Sequence, residues 1–338
     1  MTVADASDLR AALNPATPIM VLVDPMLDEP LPSDTRPGNE AEAQAMREAV
    51  WQRPVARIAL APRVPLAPHQ HPYLVELQSI NDPWLDVSLE IAHSERIAAQ
   101  AEGLDGEGAA PHRIGGWLQS TMHLPQLAGY LSTLLRVNTE ARTKATYLRL
   151  ADRRVLGLLR HVAGDTAVAQ QFGRLQNWVH LDACGQLAAL KSPGEIAEPL
   201  RLDQDQWALM EAGENVNRTL ALWLGEAQRR ELAPCGAAPA HTVYAPVFRA
   251  LANALEAAHK WPHRFQTSLD RLVWAALSLL DPAIEHSGAV HQLLKNTGSI
   301  DDPADPPETL RHLHREIAAR LAGVESTRPA RAPTQDHS

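Results

Sequence analysis

Cysteine is almost absent: the 338-residue chain has two, Cys184 and Cys235, far apart and without a C-x-x-C pair. That excludes a zinc ribbon and a disulfide scaffold, and it fits two packed thiols in a reducing compartment. Phenylalanine and tyrosine are scarce, 3 and 4 residues beside 8 tryptophans, so cores must be built from Leu, Ala and Val with indole as the bulky filler. Positive charge is in the minority, 31 Lys+Arg against 40 Asp+Glu for a formal net charge of -9. Without a general cationic field, nucleic acid is not an expected partner. The apolar run Ile19–Val23 is far too short to cross a bilayer, and residues 1–10 carry Asp5 and Asp8 but no basic leader region. A cytoplasmic protein without membrane insertion is expected.

What is present suffices for globular structure, because 45% apolar residues over this length can bury one large or two ordinary cores. Short apolar runs separated by proline predict strands at 19–23, 55–60, 73–77 and 114–120, with another at 146–150. Residues 175–181 and 186–190 read as a strand pair around the turn Cys184-Gly185. Asp82-Pro83 caps a helix, and Pro125 opens one between strands 114–120 and 146–150, a unit short enough to put both strands in one sheet. Gly103, Gly106 and Gly108 alternate with acidic residues and mark a loop.

After the linker marked by Pro193, Gly194 and Pro199, the chain reads as helix after helix. Asp203 and Gln206 form a capping box for one long helix to about Arg230, and Asp305-Pro306 opens the last. The expected architecture is a mixed α/β (α+β) N-terminal lobe with a small mixed sheet over residues 1–192 and an all-α helical C-terminal lobe over 200–325. A disordered tail over 326–338 completes it.

Motifs of nucleotide, hydrolase and zincin chemistry are missing: there is no Walker loop, no Gly-x-Ser-x-Gly, no His-Glu-x-x-His and no Gly-x-Gly-x-x-Gly after a strand. His69-x-His71 puts two imidazoles on one side of an extended chain, and Asp24 or His123 would complete a metal shell. With 15 histidines in the chain a chance pair is ordinary, and the flanking prolines favour a solvent-exposed connector over a metal site.

The richest stretch runs from Tyr147 through Arg149, Asp152, Arg153 and Arg154 to Leu156. Asp152 stands where the following helix needs an N-cap, a role contributing on the order of 1 kcal/mol. Arg149 either bridges acidic neighbours within the fold or presents its donor fork to a partner.

The order of these features resembles the adaptor proteins of bacterial type VI secretion. The resemblance rests on a strand ending in Asp24, then Pro72-Tyr73-Leu74-Val75-Glu76-Leu77, Trp84, Gly116-Trp117-Leu118-Gln119-Ser120, the junction from Tyr147 to Leu156, and Phe172-Gly173 with Trp178. It spans about residues 18–190. Arg149, Asp152 and Arg154 match the family junction in place, whereas Arg153 replaces its usual proline and Leu150 and Ala151 replace aromatic residues.

Membership implies a chaperone that binds a toxic effector and passes it to the valine-glycine-repeat spike protein, with no catalytic residues, metal or cofactor. Partner contacts are then expected at Tyr147, Arg149 and Arg154, and at tryptophans of the helical lobe such as Trp207 and Trp223, since indole concentrates interface energy. Trp261 and Trp274 are further candidates. The competing expectation is a metal-dependent hydrolase built on His69 and His71.

Overall fold

The computed structural model describes residues 4–33, 37–61, 64–140, 142–194, 200–232, 240–295 and 309–321. They fall into two compact units, Met1–Pro246 and Val247–Ser338. The first is built in the order α1 (Ala6–Ala12), β1 (Ile19–Val23), α2 (Glu40–Trp51), β2 (Val55–Arg57), β3 (Tyr73–Glu76), α3 (Pro83–Gln100), β4 (Ile114–Gln119) and α4 (Leu124–Leu134). It continues through β5 (Arg136–Thr139), β6 (Arg142–Tyr147), α5 (Arg153–Ala163), α6 (Asp165–Gln171), β7 (Asn177–Leu181), β8 (Leu187–Lys191), β9 (Arg201–Leu202), α7 (Gln204–Glu211) and α8 (Gly213–Arg229).

Six strands form an antiparallel sheet in the order β2-β3-β1-β4-β7-β8. A smaller mixed sheet, β6-β5-β9, joins an antiparallel and a parallel pairing. β1 lies near the middle of the large sheet with all five residues buried, which is why its sequence is continuously apolar and not alternating. One sheet face carries Val21, Val75, Trp117 and Val179 against Leu9, Trp51, Leu85 and Leu89 from α1, α2 and α3. β4 needs Gly116, at φ +133°, because a Cβ there would collide with the Val179 carbonyl.

The sequence places most local features correctly. Asp82 caps α3 with Pro83 in its first turn, Asp203 and Gln206 form their capping box, and β7 pairs with β8 across the expected turn. Three expectations are corrected. Strand 146–150 is not the sheet partner of 114–120: β6 ends at Tyr147 and lies in the small sheet, while Leu148–Ala151 turns, with Asp152 N–H donating to the Arg149 carbonyl at 2.9 Å. The helix opened by Asp203 breaks at Ala212 into α7 and α8.

The third concerns the division into units, which falls at Pro246 and not in the linker near Pro193. α8 packs on α3 so closely that a Cβ on Gly225 would overlap the Gln100 carbonyl, and Arg218 Nε donates to the Glu107 carbonyl at 2.8 Å. Both helices after the linker therefore belong to the sheet-containing unit.

The second unit is helical. It contains most of α9 (Tyr244–Lys260), then α10 (Ser268–Leu280), α11 (Gly288–Lys295) and α12 (Leu310–Leu321). Thr267 and Asp270 form a capping box for α10, and the same Asp270, fully buried, accepts the Arg311 N–H at 2.9 Å to anchor α12. Trp274 sits 6.3 Å from Trp261 and 5.9 Å from Phe265, so these indoles fill the core and are not exposed anchors. Residues 326–338, expected to form a disordered tail, and Asp305-Pro306 lie outside the described residues. Among the described residues no helix is long and apolar enough to cross a membrane.

Candidate functional site

The residues behind the family resemblance converge. β1 delivers Asp24 to a buried position, where Arg149 Nε donates to its Oδ2 at 2.6 Å across 125 residues of sequence. Arg149 Nη1 also lies 3.9 Å from Asp152 Oδ2. Asp152 caps α5 through the Arg154 N–H at 3.0 Å and receives the Arg154 guanidinium, Nη2 to Oδ2, at 2.6 Å. Burial pushes the Asp24 carboxyl up, Arg149 offsets this only in part, and the like charge of Asp152 adds to it. Burial acts on Asp152 in the same direction, but Arg154 and Arg149 outweigh it and hold that carboxyl below its usual value.

Arg149 bridges acidic neighbours inside the fold, and 20% of its side chain stays exposed, as does 23% of Arg154. Tyr147 is half-buried beside them, its hydroxyl pushed up by burial and by Asp24. Of the two tryptophans expected as anchors in α7 and α8, Trp223 is buried and serves packing. Trp207 is half-buried, and its Nε1 donates to Glu211 at 2.7 Å.

The histidine pair is not assembled as a metal centre. His69 lies in a turn of 3-10 helix, and His71 Nδ1 is 3.1 Å from Arg57 Nη1. An arginine only donates, so this contact occupies the ring lone pair that a metal would need. Burial and Arg57 together push His71 down. Asp24 is already committed to Arg149, and among the described residues no group of three His, Cys, Asp or Glu is placed to hold a metal ion.

Next to the junction lies a cavity of about 350 Å³, framed by α3, α5, α8 and the β7–β8 hairpin. α5 contributes Arg153, Arg154 and Arg160. Arg160 forks onto Asp165 at 2.8 and 2.9 Å and points Nη1 at His180 Nε2, 2.9 Å away. His180, on β7, is pushed down to about 3 by burial and by Arg160, so its ring is neutral. His112, also in the lining, is pushed well down by burial and by four surrounding arginines. Arg96 of α3 donates to Gln100 Oε1 at 2.9 Å, and burial pulls its guanidinium below its ordinary value.

The hairpin turn is pinned by Asp182, whose Oδ1 accepts the N–H groups of Cys184 at 2.8 Å and Gln186 at 2.9 Å. Gln100 Nε2 holds the same turn through the Ala183 carbonyl at 3.0 Å.

Cys184 in that turn is disulfide-bonded, which corrects the expectation of a packed thiol and removes the cysteine-based case for a reducing compartment. Cys235 lies outside the described residues. Sequence reasoning missed the cavity because its walls come from distant segments. The one local signal was Arg153 and Arg160, seven apart and therefore on one face of α5.

The chain matches no family model, no curated protein and no solved structure.

Proposed function

We propose that the chain is a type VI secretion adaptor that binds a toxic effector and loads it onto the spike protein by protein–protein contact, without catalysis. The observation carrying this reading is the meeting of Asp24, Arg149, Asp152 and Arg154 in one ion-pair network. These are the positions on which the resemblance rests. Their placement gives a rigid, partly exposed pair of guanidinium groups of the kind that recognises acidic or carbonyl-rich protein surfaces.

The reading places the chain in the cytoplasm. There the Cys184 disulfide would have to withstand the glutathione pool, so its redox state bears directly on the location.

The test is affinity purification of the tagged chain from its native bacterium with secretion active, followed by partner identification. Recovery of a spike component together with a large modular toxin is expected; recovery of neither overturns the proposal. Arg149→Glu should reduce capture more than Asp152→Ala does at matched loss of stability. If capture by both variants falls only in proportion to unfolding, Arg149 is architectural.

A further inference from the structure

Three residues lining the cavity carry a buried nitrogen without a hydrogen-bond partner: Arg96 Nε, His112 Nδ1 and His180 Nδ1. Each side chain is nine-tenths or more buried, with exposures of 9%, 5% and 2%. The protonation of His180 follows from its neighbour. Arg160 cannot accept, so His180 Nε2 must, and in the neutral ring the proton then sits on Nδ1. Arg96 Nε and His180 Nδ1 are therefore both N–H donors lacking acceptors, and each such buried group left unmade costs roughly 1–3 kcal/mol.

Charge points the same way. Arg154 pairs with Asp152 and Arg160 with Asp165, while Arg153 shares Glu95 with Arg113. Arg96 forms no ion pair with a carboxylate among the described residues; its strongest charged neighbour is Asp182, whose own carboxyl is pushed up by burial. The site thus offers a guanidinium that no carboxylate hydrogen-bonds and one imidazole N–H donor, with Asp182 also in its lining, beside an apolar wall formed by Leu181, Leu187, Leu220 and Ala221. A volume of about 350 Å³ lies within the range of pockets for small organic ligands.

We propose that this cavity binds a small monocarboxylic acid, its carboxylate accepting from Arg96 and the imidazole of His180 while its apolar body lies along Leu187 and Leu220. A phosphate would bring a second charge and no apolar body to lie along that wall. This inference does not depend on the adaptor reading, and partner capture and ligand binding are separate measurements.

The test is isothermal titration calorimetry of the full chain with hexanoate, benzoate, hexanamide and inorganic phosphate, alongside a peptide ending in a free carboxylate. Saturable one-to-one binding of hexanoate or benzoate is expected, with hexanamide and phosphate at least tenfold weaker. Arg96→Gln should weaken carboxylate binding at least tenfold, and Ala188→Trp, which adds bulk from edge strand β8 and leaves Arg96 in place, should abolish it. If Arg96→Gln fails to fold, Ala188→Trp decides.

A second readout is the long-range proton–nitrogen NMR spectrum of His180, in which the Nδ1–H resonance should shift on adding benzoate. The proposal is overturned if no carboxylate saturates, if phosphate binds more tightly, if only the peptide binds, or if Ala188→Trp binds as well as the parent chain.

Discussion

The guanidinium of Arg153 meets the carboxylate of Glu95 at 2.8 Å, Nη1 to Oε2, with 3% and 2% of the two side chains exposed. The same arginine donates to the carbonyls of Ile114 at 2.8 Å and Ala92 at 2.7 Å, so the first turn of α5 is tied to β4 and α3 at once. This is the position at which the type VI adaptors that the sequence resembles carry proline. Here the side chain has an architectural role that proline could not fill.

Arg153→Pro should therefore preserve the start of α5, since proline suits the first helical position, yet destabilise the protein by roughly 1–3 kcal/mol, because the Ile114 and Ala92 carbonyls lose their donor while Glu95 keeps only Arg113. Urea unfolding at neutral pH measures this. A loss under 1 kcal/mol would show that the buried pair is dispensable.

Two glycines should respond in opposite directions to alanine. Gly225 lets α8 rest on the Gln100 carbonyl, and the added methyl group would force the two helices apart, at about 1–3 kcal/mol. Gly129 is exposed within α4 with nothing near its missing side chain, so Gly129→Ala should stabilise by about 0.5–1 kcal/mol. Thermal unfolding of the two variants side by side checks both signs.

Local chemistry explains what was legible in the sequence. Asp82, Asp152 and Asp203 announce their helices because a cap bonds to N–H groups two or three residues on, and the β7–β8 hairpin is marked by its own turn. The break at Ala212 is marked only ambiguously, by Gly213, since a lone glycine in an apolar-periodic pattern also occurs inside helices and here admits Leu158. The partner of β6 was likewise hidden: its hydrogen bonds go to β5 and not to β4, a choice made by packing at long range. The ion pair of Asp24 with Arg149 joined two residues that had each been singled out, whereas Arg96, His112 and His180 drew no attention, because nothing near them in sequence shows that burial will strip their partners.

Acid should destabilise the fold through His180. Its folded value of about 3 lies below the unfolded value near 6.5, so the unfolded chain binds a proton first as pH falls. Stability is then complete above about pH 6.5 and declines toward pH 3, by up to about 1.4 kcal/mol per pH unit for one proton. His112, also pushed down, acts in the same sense. Asp24 and Asp182 act oppositely: their raised carboxyls stabilise the fold at low pH and lose that contribution as pH rises through their folded values. His180→Gln retains an acceptor for Arg160 and does not titrate. The slope of unfolding free energy between pH 5 and 6.5 should fall by close to one proton in that variant, and an unchanged slope would mean that His180 is charged in the native state.

The disulfide at Cys184 gives the last test, because it distinguishes a structural bond from a thiol pair that never oxidises. Cys184 sits in the turn that Asp182 and Gln100 already hold against the cavity, so the crosslink adds to a wall that is ordered without it. Its contribution should therefore come mainly from restricting the unfolded chain, typically about 2–4 kcal/mol. Denatured protein treated with an alkylating reagent before reduction should show no modified cysteine by intact mass, and both cysteines should be modified after reduction. Cys184→Ser should lower the unfolding midpoint under oxidising conditions and match the parent chain when reductant is present. Two alkylated cysteines in protein quenched directly from the bacterial cytoplasm would instead mean that the bond is absent where the adaptor reading places the chain, and that the hairpin keeps its shape through Asp182 and Gln100.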